Sequence, residues 1–393
     1  MRILFTTWAW PSHLYSLVPL AWACRAAGHE VLVASQPEAL DEIVRTGLPA
    51  AAVGRDVDAA GLVRGYLLPS TAVPAPVLPA QPAGKGPRAM RMFYEHADSM
   101  VDGLVALARD WRADLVVYEP TALAGPIAAA AVGVPAVRHL YGTDLLVRAK
   151  DLLPGVLAPL AERNGVGAFD PFGTVTVDPC PDGFRLPADY PRLPVRYVPF
   201  NGPGAAPSPA LAPPAPGRRR VVVTWGHTLA KLSAAHFFGA QAAAAVRGPD
   251  VDVVLAVSAA QRPLLGDLPE DVTVVTDVPL NLLLADADLV VSHGGAGTVL
   301  TALHAGLPLL LVPQLPDHAG HSARVLAAGA GEVLTRDEAD AAQLHEDARR
   351  LLESDAHRGA ARLLRERMLA QPTPADLVTQ LEVLAGSRPV AAR

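Results

Sequence analysis

Short apolar runs alternate with longer stretches of helical periodicity along most of the chain. Arg2–Thr7 reads as a buried strand, and Leu14–Ala27 carries apolar residues at helical spacing. Gly28-His29 closes that helix where a left-handed cap is expected, and Glu30–Ser35 is the next strand. Asp114–Tyr118 predicts a further strand, followed by an alanine-rich helix over Thr121–Val132 that Gly133 breaks. Pro135–His139 begins another strand. Strands that are apolar throughout and alternate with helices predict α/β architecture, with a parallel, doubly wound sheet.

The pattern then restarts. Strands over Arg220–Thr224, Val251–Val257, Val272–Thr276, Leu289–Val291 and Pro308–Leu311, with helices between them, predict a second α/β unit. Asn201–Gly217 is dense in Pro, Ala and Gly and reads as a semi-rigid linker. The expected organisation is two Rossmann-like domains, 1–200 and 218–374, joined by linker 201–217 and followed by a helix and tail over 375–393. One Pro- and Ala-rich insert, about Leu67 to Arg88, interrupts the first unit. An insert of that length is either a mobile wall of a pocket or a solvated loop.

A length of 393 residues suits two domains rather than one core. With 51% hydrophobic and 18% charged residues the chain is not of the disordered class. The net charge of −6, with no basic block, argues against nucleic acid as a partner. The two cysteines, Cys24 and Cys180, form no disulfide framework and match no metal spacing; Cys24 reads as a core filler. The first apolar run is too short for a signal peptide, and no stretch of about 18 uninterrupted apolar residues offers a membrane span. A cytoplasmic protein without a membrane partner is therefore expected. Lysine is confined to Lys85, Lys150 and Lys231, a bias of GC-rich bacterial genomes.

The strongest local chemistry follows the strand Asp288–Val291: Ser292-His293-Gly294-Gly295-Ala296-Gly297-Thr298, then a helix. Glycines at a strand-to-helix turn let backbone N–H groups approach an anion, and the helix N-terminus adds partial positive charge. Thr298 offers a hydroxyl, and His293 a ring nitrogen. In open α/β sheets ligands gather at the carboxyl ends of strands, where this group falls. The spacing is not that of a dinucleotide fingerprint. Read from the residues alone, a glycine-rich turn capped by a threonine is the other possibility.

That turn, with Gly306-Leu307-Pro308 and Pro313-Gln314-Leu315-Pro316-Asp317, resembles the donor site of bacterial GT-B-fold family 1 glycosyltransferases. The likeness is strongest to the actinobacterial antibiotic deoxysugar transferases, those acting on aromatic polyketides among them. Pro11-Ser12-His13-Leu14, Ala27-Gly28-His29-Glu30-Val31, Asp178-Pro179-Cys180-Pro181 and Val278-Pro279-Leu280 agree, in order along the chain. The resemblance implies a GT-B fold, two Rossmann-like domains facing a central cleft, and a dTDP-deoxysugar as co-substrate. It implies that His293, Gly294, Gly295, Gly297 and Thr298 hold the diphosphate, faced by Thr224, Gly226 and His227. Val278 and Leu280 would bracket the base, and Asp317 would accept from sugar hydroxyls. Two departures stand out. Thr301 occupies the place of a ribose-binding Glu in plant relatives, and His318 and His321 replace a usual Gln and Asn. A hydroxyl-poor sugar fits these changes.

On the acceptor side, His13 follows the first strand's carboxyl end, and imidazole has the basicity to remove a phenol or alcohol proton. The resemblance places Glu119 where related plant enzymes carry the Asp that orients this His. Asp144 is a second candidate base, with an N-cap of the following helix as the alternative. Trp8, Trp10 and Tyr141 are candidate contacts for a planar aromatic polyketide, whereas Trp22 reads as core. Asp250-Val251-Asp252 and Asp286-Ala287-Asp288 read as capping or solvated carboxylates, so no metal and no other cofactor is expected. The reading is an inverting transferase making an O- or C-glycoside. The alternatives are a nucleotide-sugar epimerase of the same fold and a catalytically weak helper that binds donor or partner. The sequence leaves the oligomeric state open, a homodimer included.

Overall fold

Two parallel sheets organise the chain in a computed structural model that describes residues 1–64, 67–68, 86–206 and 212–386. The first contains β1 (Arg2–Thr6), β2 (Glu30–Ser35), β3 (Ala50–Ala52), β4 (Leu115–Tyr118), β5 (Ala136–His139), β6 (Val175–Asp178) and β7 (Arg192–Pro194), in spatial order β3-β2-β1-β4-β5-β6-β7. The second contains β8 (Arg219–Thr224), β9 (Val251–Val257), β10 (Val272–Thr276), β11 (Leu289–Ser292), β12 (Leu309–Leu311) and β13 (Gly331–Val333), in order β10-β9-β8-β11-β12-β13. Each sheet is buried between two apolar clusters, which is why its strands are apolar on both faces. The predicted two-unit α/β class is what forms. The sequence reading did not include β3, β6, β7 and β13, which are only three or four residues long.

In both sheets the order reverses beside the first strand, between β1 and β4 and between β8 and β11. The crevice outside the carboxyl ends at such a reversal is where open α/β sheets bind ligands. His13 follows β1 and Glu119 follows β4; Gly226 follows β8 and His293 follows β11. The topology thus brings the two candidate groups to the two reversal points.

The first helix spans Pro11–Ala26, three residues earlier than expected, with Pro11 in its first turn, where a missing N–H costs nothing. His13 therefore sits on a helical first turn rather than in a loop. Cys24 is fully buried, as expected, but Trp22 is 42% exposed and not core. Its indole lies under the Arg25 guanidinium and donates to the Thr46 carbonyl. A residue at helical spacing from Val18 need not share its face when the ring is large enough to fold along the surface.

Several ties cross between the units. Tyr197 and Asn201 hydrogen-bond the Thr301 hydroxyl, each at 3.0 Å, and Asn201 accepts from the Asn281 amide at 3.0 Å. Helix Ala59–Arg64 reaches the second unit, where the Arg64 guanidinium donates to the Leu232 carbonyl at 2.9 Å. The helix Pro374–Gly386 returns to the first unit, burying Leu377, Val378 and Leu381 there. Within linker 201–217 the described residues form no helix or strand. Most of the Leu67–Arg88 insert and residues 387–393 lie outside the described residues; Leu68 donates its amide to the Gln314 carbonyl at 2.9 Å, and Gly86 starts the helix Gly86–Asp110. Among the described residues no helix is long and apolar enough to cross a membrane.

Candidate active site

The turn after β11 leads into helix Ala296–Ala305 with Gly295 as its N-cap. The first amides of a helix have no carbonyl partner within it, so those of Ala296, Gly297 and Thr298 are free to bind an anion. Three glycines are required by space. A Cβ on Gly294 would stand 2.4 Å from Ser322 Oγ, and one on Gly295 2.5 Å from His293 Nε2. A Cβ on Gly226 would meet His293 Cε1 at 2.6 Å. A Cβ on Gly297 would meet nothing within 4 Å among the described residues, so this side of the helix N-terminus is open. Thr224, at the end of β8, pairs in register with Ser292, which sets the His227 turn beside the cradle.

Below the cradle lies a group of buried histidines. His293 and His318 stack edge to face, with centroids 4.6 Å apart. Burial pushes His293 well below the ordinary imidazole range, and the neighbouring His318 pushes in the same direction. Burial likewise lowers His318, and lowers His321 to about 4. Nitrogens on all three rings, and the Ser322 hydroxyl, are buried without a hydrogen-bond partner among the described residues. Unpaired buried polar atoms are costly and accumulate where a polar ligand completes them. Asp317, in the first turn of helix Pro316–Ala327, opens to the cleft with its side chain 45% exposed. Packing around it raises its pKa, but His318, His321, a backbone amide and His13 together outweigh this and hold the carboxyl below its usual range.

Val278 is half-buried and Leu280 is buried, and this turn is braced from the linker. Gly204 packs so closely that a Cβ there would lie 2.6 Å from Pro279 Cδ. Thr301, at the plant ribose position, is buried; it donates to the Gly297 carbonyl at 2.6 Å and is tied to Tyr197 and Asn201.

Across the cleft, His13 Nδ1 lies 3.1 Å from Glu119 Oε2. Glu119 is fully buried and accepts from the Thr121 amide at 2.9 Å and the Thr121 hydroxyl at 2.8 Å. Thr121 was not singled out from the sequence. Its signal was local, a Thr two residues after an acid, which folds back as a turn cap. The Trp8 indole N–H donates to the same His13 Nδ1 at 2.6 Å, and the Thr121 hydroxyl lies 3.2 Å from it. All these contacts fall on Nδ1, which leaves Nε2 for a substrate. Tyr141 lies against the His13 ring, centroids 4.4 Å apart.

Asp144 and the tryptophans sit differently from expectation. Asp144 is buried; the Arg138 guanidinium donates to its Oδ2 at 2.6 Å, the Tyr190 hydroxyl donates to the same oxygen, and Oδ1 caps the Leu146 amide. A carboxylate with both oxygens occupied is not a free base on the cleft rim, so the N-cap alternative is the observed one. Trp8 and Trp10 are buried and stack on each other, centroids 5.7 Å apart, and Trp10 Nε1 donates to the Thr228 hydroxyl of the second unit at 3.1 Å. Neither ring offers a free face to a flat acceptor in this arrangement. The aspartate pairs lie at the amino ends of strands, where Asp252 pairs with Arg220 at 2.7 Å and Asp288 with Arg219 at 3.1 Å.

Family models of the erythromycin biosynthesis protein CIII-like type match the chain twice, the N-terminal domain over 22–226 and the C-terminal domain over 241–384. The chain belongs to the EryCIII-like family. It is 35% identical to the 3-alpha-mycarosylerythronolide B desosaminyl transferase of Saccharopolyspora erythraea, covering 99% of each chain. It is 36% identical to the aklavinone 7-beta-L-rhodosaminyltransferase of Streptomyces galilaeus, covering 98% of this chain and 96% of the relative. The crystal structure of the glycosyltransferase VinC in complex with dTDP superposes with a TM-score of 0.81 at 34% identity, over 98% of this chain and 100% of that one. The fold is therefore GT-B, and the EryCIII-like chain is a nucleotide-sugar-dependent glycosyltransferase of the antibiotic deoxysugar-transferase type. The epimerase and helper readings are set aside.

Proposed function

We propose that this enzyme moves a deoxysugar from a dTDP-sugar to an aromatic polyketide-type acceptor, with inversion at the anomeric carbon and without a metal. The observation that carries the reading is the pairing of His13 with buried Glu119 opposite a cradle of free helix amides. Nε2 of His13 takes the proton of the acceptor as its oxygen, or an activated ring carbon, attacks the anomeric carbon. Glu119 stabilises the imidazolium that forms. The diphosphate leaves with the bonding electrons toward the amides of Ala296, Gly297 and Thr298, which already point at the developing charge. A single displacement inverts the centre. Asp317 accepts from a sugar hydroxyl, while Val278 and Leu280 bracket the thymine.

Support for the metal-free reading comes from Asp252 and Asp288, one carboxylate of each Asp-x-Asp pair, which arginines engage at the amino ends of their strands, away from the carboxyl-end crevice. Support for a deoxysugar comes from His318 and His321, which stand beside Asp317, and from relatives named for desosaminyl, mycaminosyl and rhodosaminyl transfer. An aromatic acceptor matches the aklavinone transferase; other relatives are named for tylactone and 10-deoxymethynolide. The test is incubation with a panel of dTDP-sugars and aglycones, products being read by mass spectrometry. Acid hydrolysis separates O- from C-glycosides. Product only from fully hydroxylated hexose donors, or only from non-aromatic aglycones, would overturn the corresponding half of the proposal.

A further inference from the structure

His13 is contacted on one nitrogen by groups that make opposite demands. Glu119 Oε2, 3.1 Å away, needs a proton on Nδ1. The Trp8 indole N–H, 2.6 Å away and able only to donate, needs a lone pair there. Both cannot be met at once in a neutral ring. The Trp8 contact is the shorter, and its geometry is held from several sides. The indole stacks on Trp10, with the planes 16° apart, and meets the edge of His96 at 4.0 Å between centroids. His96 is itself fixed by Gln36, whose side-chain amide lies 3.2 Å from its Nδ1 and donates to Ser99 Oγ at 2.9 Å. Glu119 loses little by yielding, because Thr121 already supplies its oxygens with an amide and a hydroxyl.

We infer that Trp8 is a positioning residue that holds His13 in the tautomer with its proton on Nε2, so that the base stays switched off for as long as the indole N–H occupies Nδ1. In that tautomer Nε2 has no lone pair to offer. When the indole N–H withdraws, the proton can sit on Nδ1 against Glu119, and Nε2 becomes the proton acceptor. The groups around the ring are Trp8 from the loop after β1, Glu119 and Thr121 after β4, Tyr141 after β5, and Asp317 from the donor unit. Among them the Trp8 N–H is the group that disfavours the Nδ1–H form. The benefit follows from the proposed chemistry, on which this inference rests. A permanently active base beside a bound donor would activate water. The water oxygen would bond to the anomeric carbon as the bond to the diphosphate oxygen broke. The water proton would pass to Nε2 and the electron pair would leave with dTDP.

Two measurements test it. In histidine isotope-labelled protein without ligands, with the His13 signal assigned by its loss in His13→Gln, nitrogen NMR reads which ring nitrogen carries the proton. The expected result is Nε2 in the wild type and Nδ1 in Trp8→Phe, which keeps the ring stack and removes the N–H. A proton on Nδ1 in the wild type overturns the inference, whatever becomes of Trp8→Phe and of the transferase reading. The second measurement is the ratio of acceptor-free donor hydrolysis to glycosyl transfer. Loss of one hydrogen bond of typical net worth corresponds to a rise of about tenfold in Trp8→Phe. An unchanged ratio in a folded variant rejects the gate. If the wild type consumes no dTDP-sugar at all, the functional proposal fails instead, and the NMR result still decides the tautomer.

Discussion

Gly226 and His293 meet so closely across the floor of the donor site that a Cβ on Gly226 would lie 2.6 Å from the imidazole Cε1. Gly226 also holds φ at +56°, a left-handed conformation that costs a side-chain-bearing residue about 1–2 kcal/mol. Gly226→Ala should therefore displace His293 and destabilise the second unit by about that amount. The expected outcome is a lower Tm and weaker protection by dTDP in thermal denaturation. Gly297→Ala, with open space around its Cβ, should leave the Tm close to wild type and weaken dTDP protection alone. Equal loss of Tm in both variants would contradict this packing argument.

Glu119→Gln keeps the shape of the side chain and removes its charge. If Glu119 stabilises an imidazolium on His13, kcat should fall by about 10²–10⁴, the usual range of general-base assistance, with little change in KM for the donor. Thr121→Val should give a smaller loss, because it removes a hydroxyl that holds Glu119 rather than the charge itself. Steady-state kinetics on both variants checks the order.

The fold was legible wherever a strand was apolar along its length. β1, β2, β8, β9 and β11 announced themselves, and the carboxyl ends of β1 and β11 are where His13 and His293 emerge. The donor cradle was legible because Gly294, Gly295 and Gly297 sit at a strand-to-helix junction whose chemistry is local. The acceptor side was not. Whether Asp144 is a base or a cap depends on Arg138 and Tyr190, and the latter lies far away in sequence on the approach to β7. Nor does anything local say that Trp8 turns inward onto His13 and His96 rather than outward to a ligand. Trp22 misled for a related reason: spacing gives the face of a helix, not the direction in which a long ring folds.

Asp144 pairs with Arg138 in the interior, both side chains being almost wholly buried. Removing one partner of such a pair leaves an uncompensated charge and costs about 3–5 kcal/mol. Asp144→Ala should thus show as a fall in Tm and in soluble yield. The fraction that folds should keep the wild-type pH dependence of transfer, because the proton acceptor is elsewhere. A folded Asp144→Ala protein with normal Tm and no turnover would restore Asp144 as the base.

Several buried histidines make stability depend on pH in a defined window, His293 and His318 among them. Burial is the first cause in each case, and it pushes His96 to about 3 and His139 and His321 to about 4. In the unfolded chain each titrates near 6.5. Between those values the unfolded state binds more protons than the folded state, so unfolding free energy rises with pH and is lost as pH falls. Each histidine contributes a slope of up to about 1.4 kcal/mol per pH unit, absent above pH 7 and acting from about 6.5 down to about 4. The upper part of this window, from about pH 6.5 to about 5.5, lies above the ordinary titration of carboxylates, so there the two effects separate. The Tm should be level from pH 8 to 7 and fall steeply below 6.5. His96→Gln, which cannot take up the proton, should lessen that slope by one histidine's share, up to about 1.4 kcal/mol per pH unit, while lowering the Tm at pH 8 through lost packing against Trp8. Calorimetry across the range decides it: a Tm that stays level down to pH 5 would mean that these rings are not kept neutral by the fold.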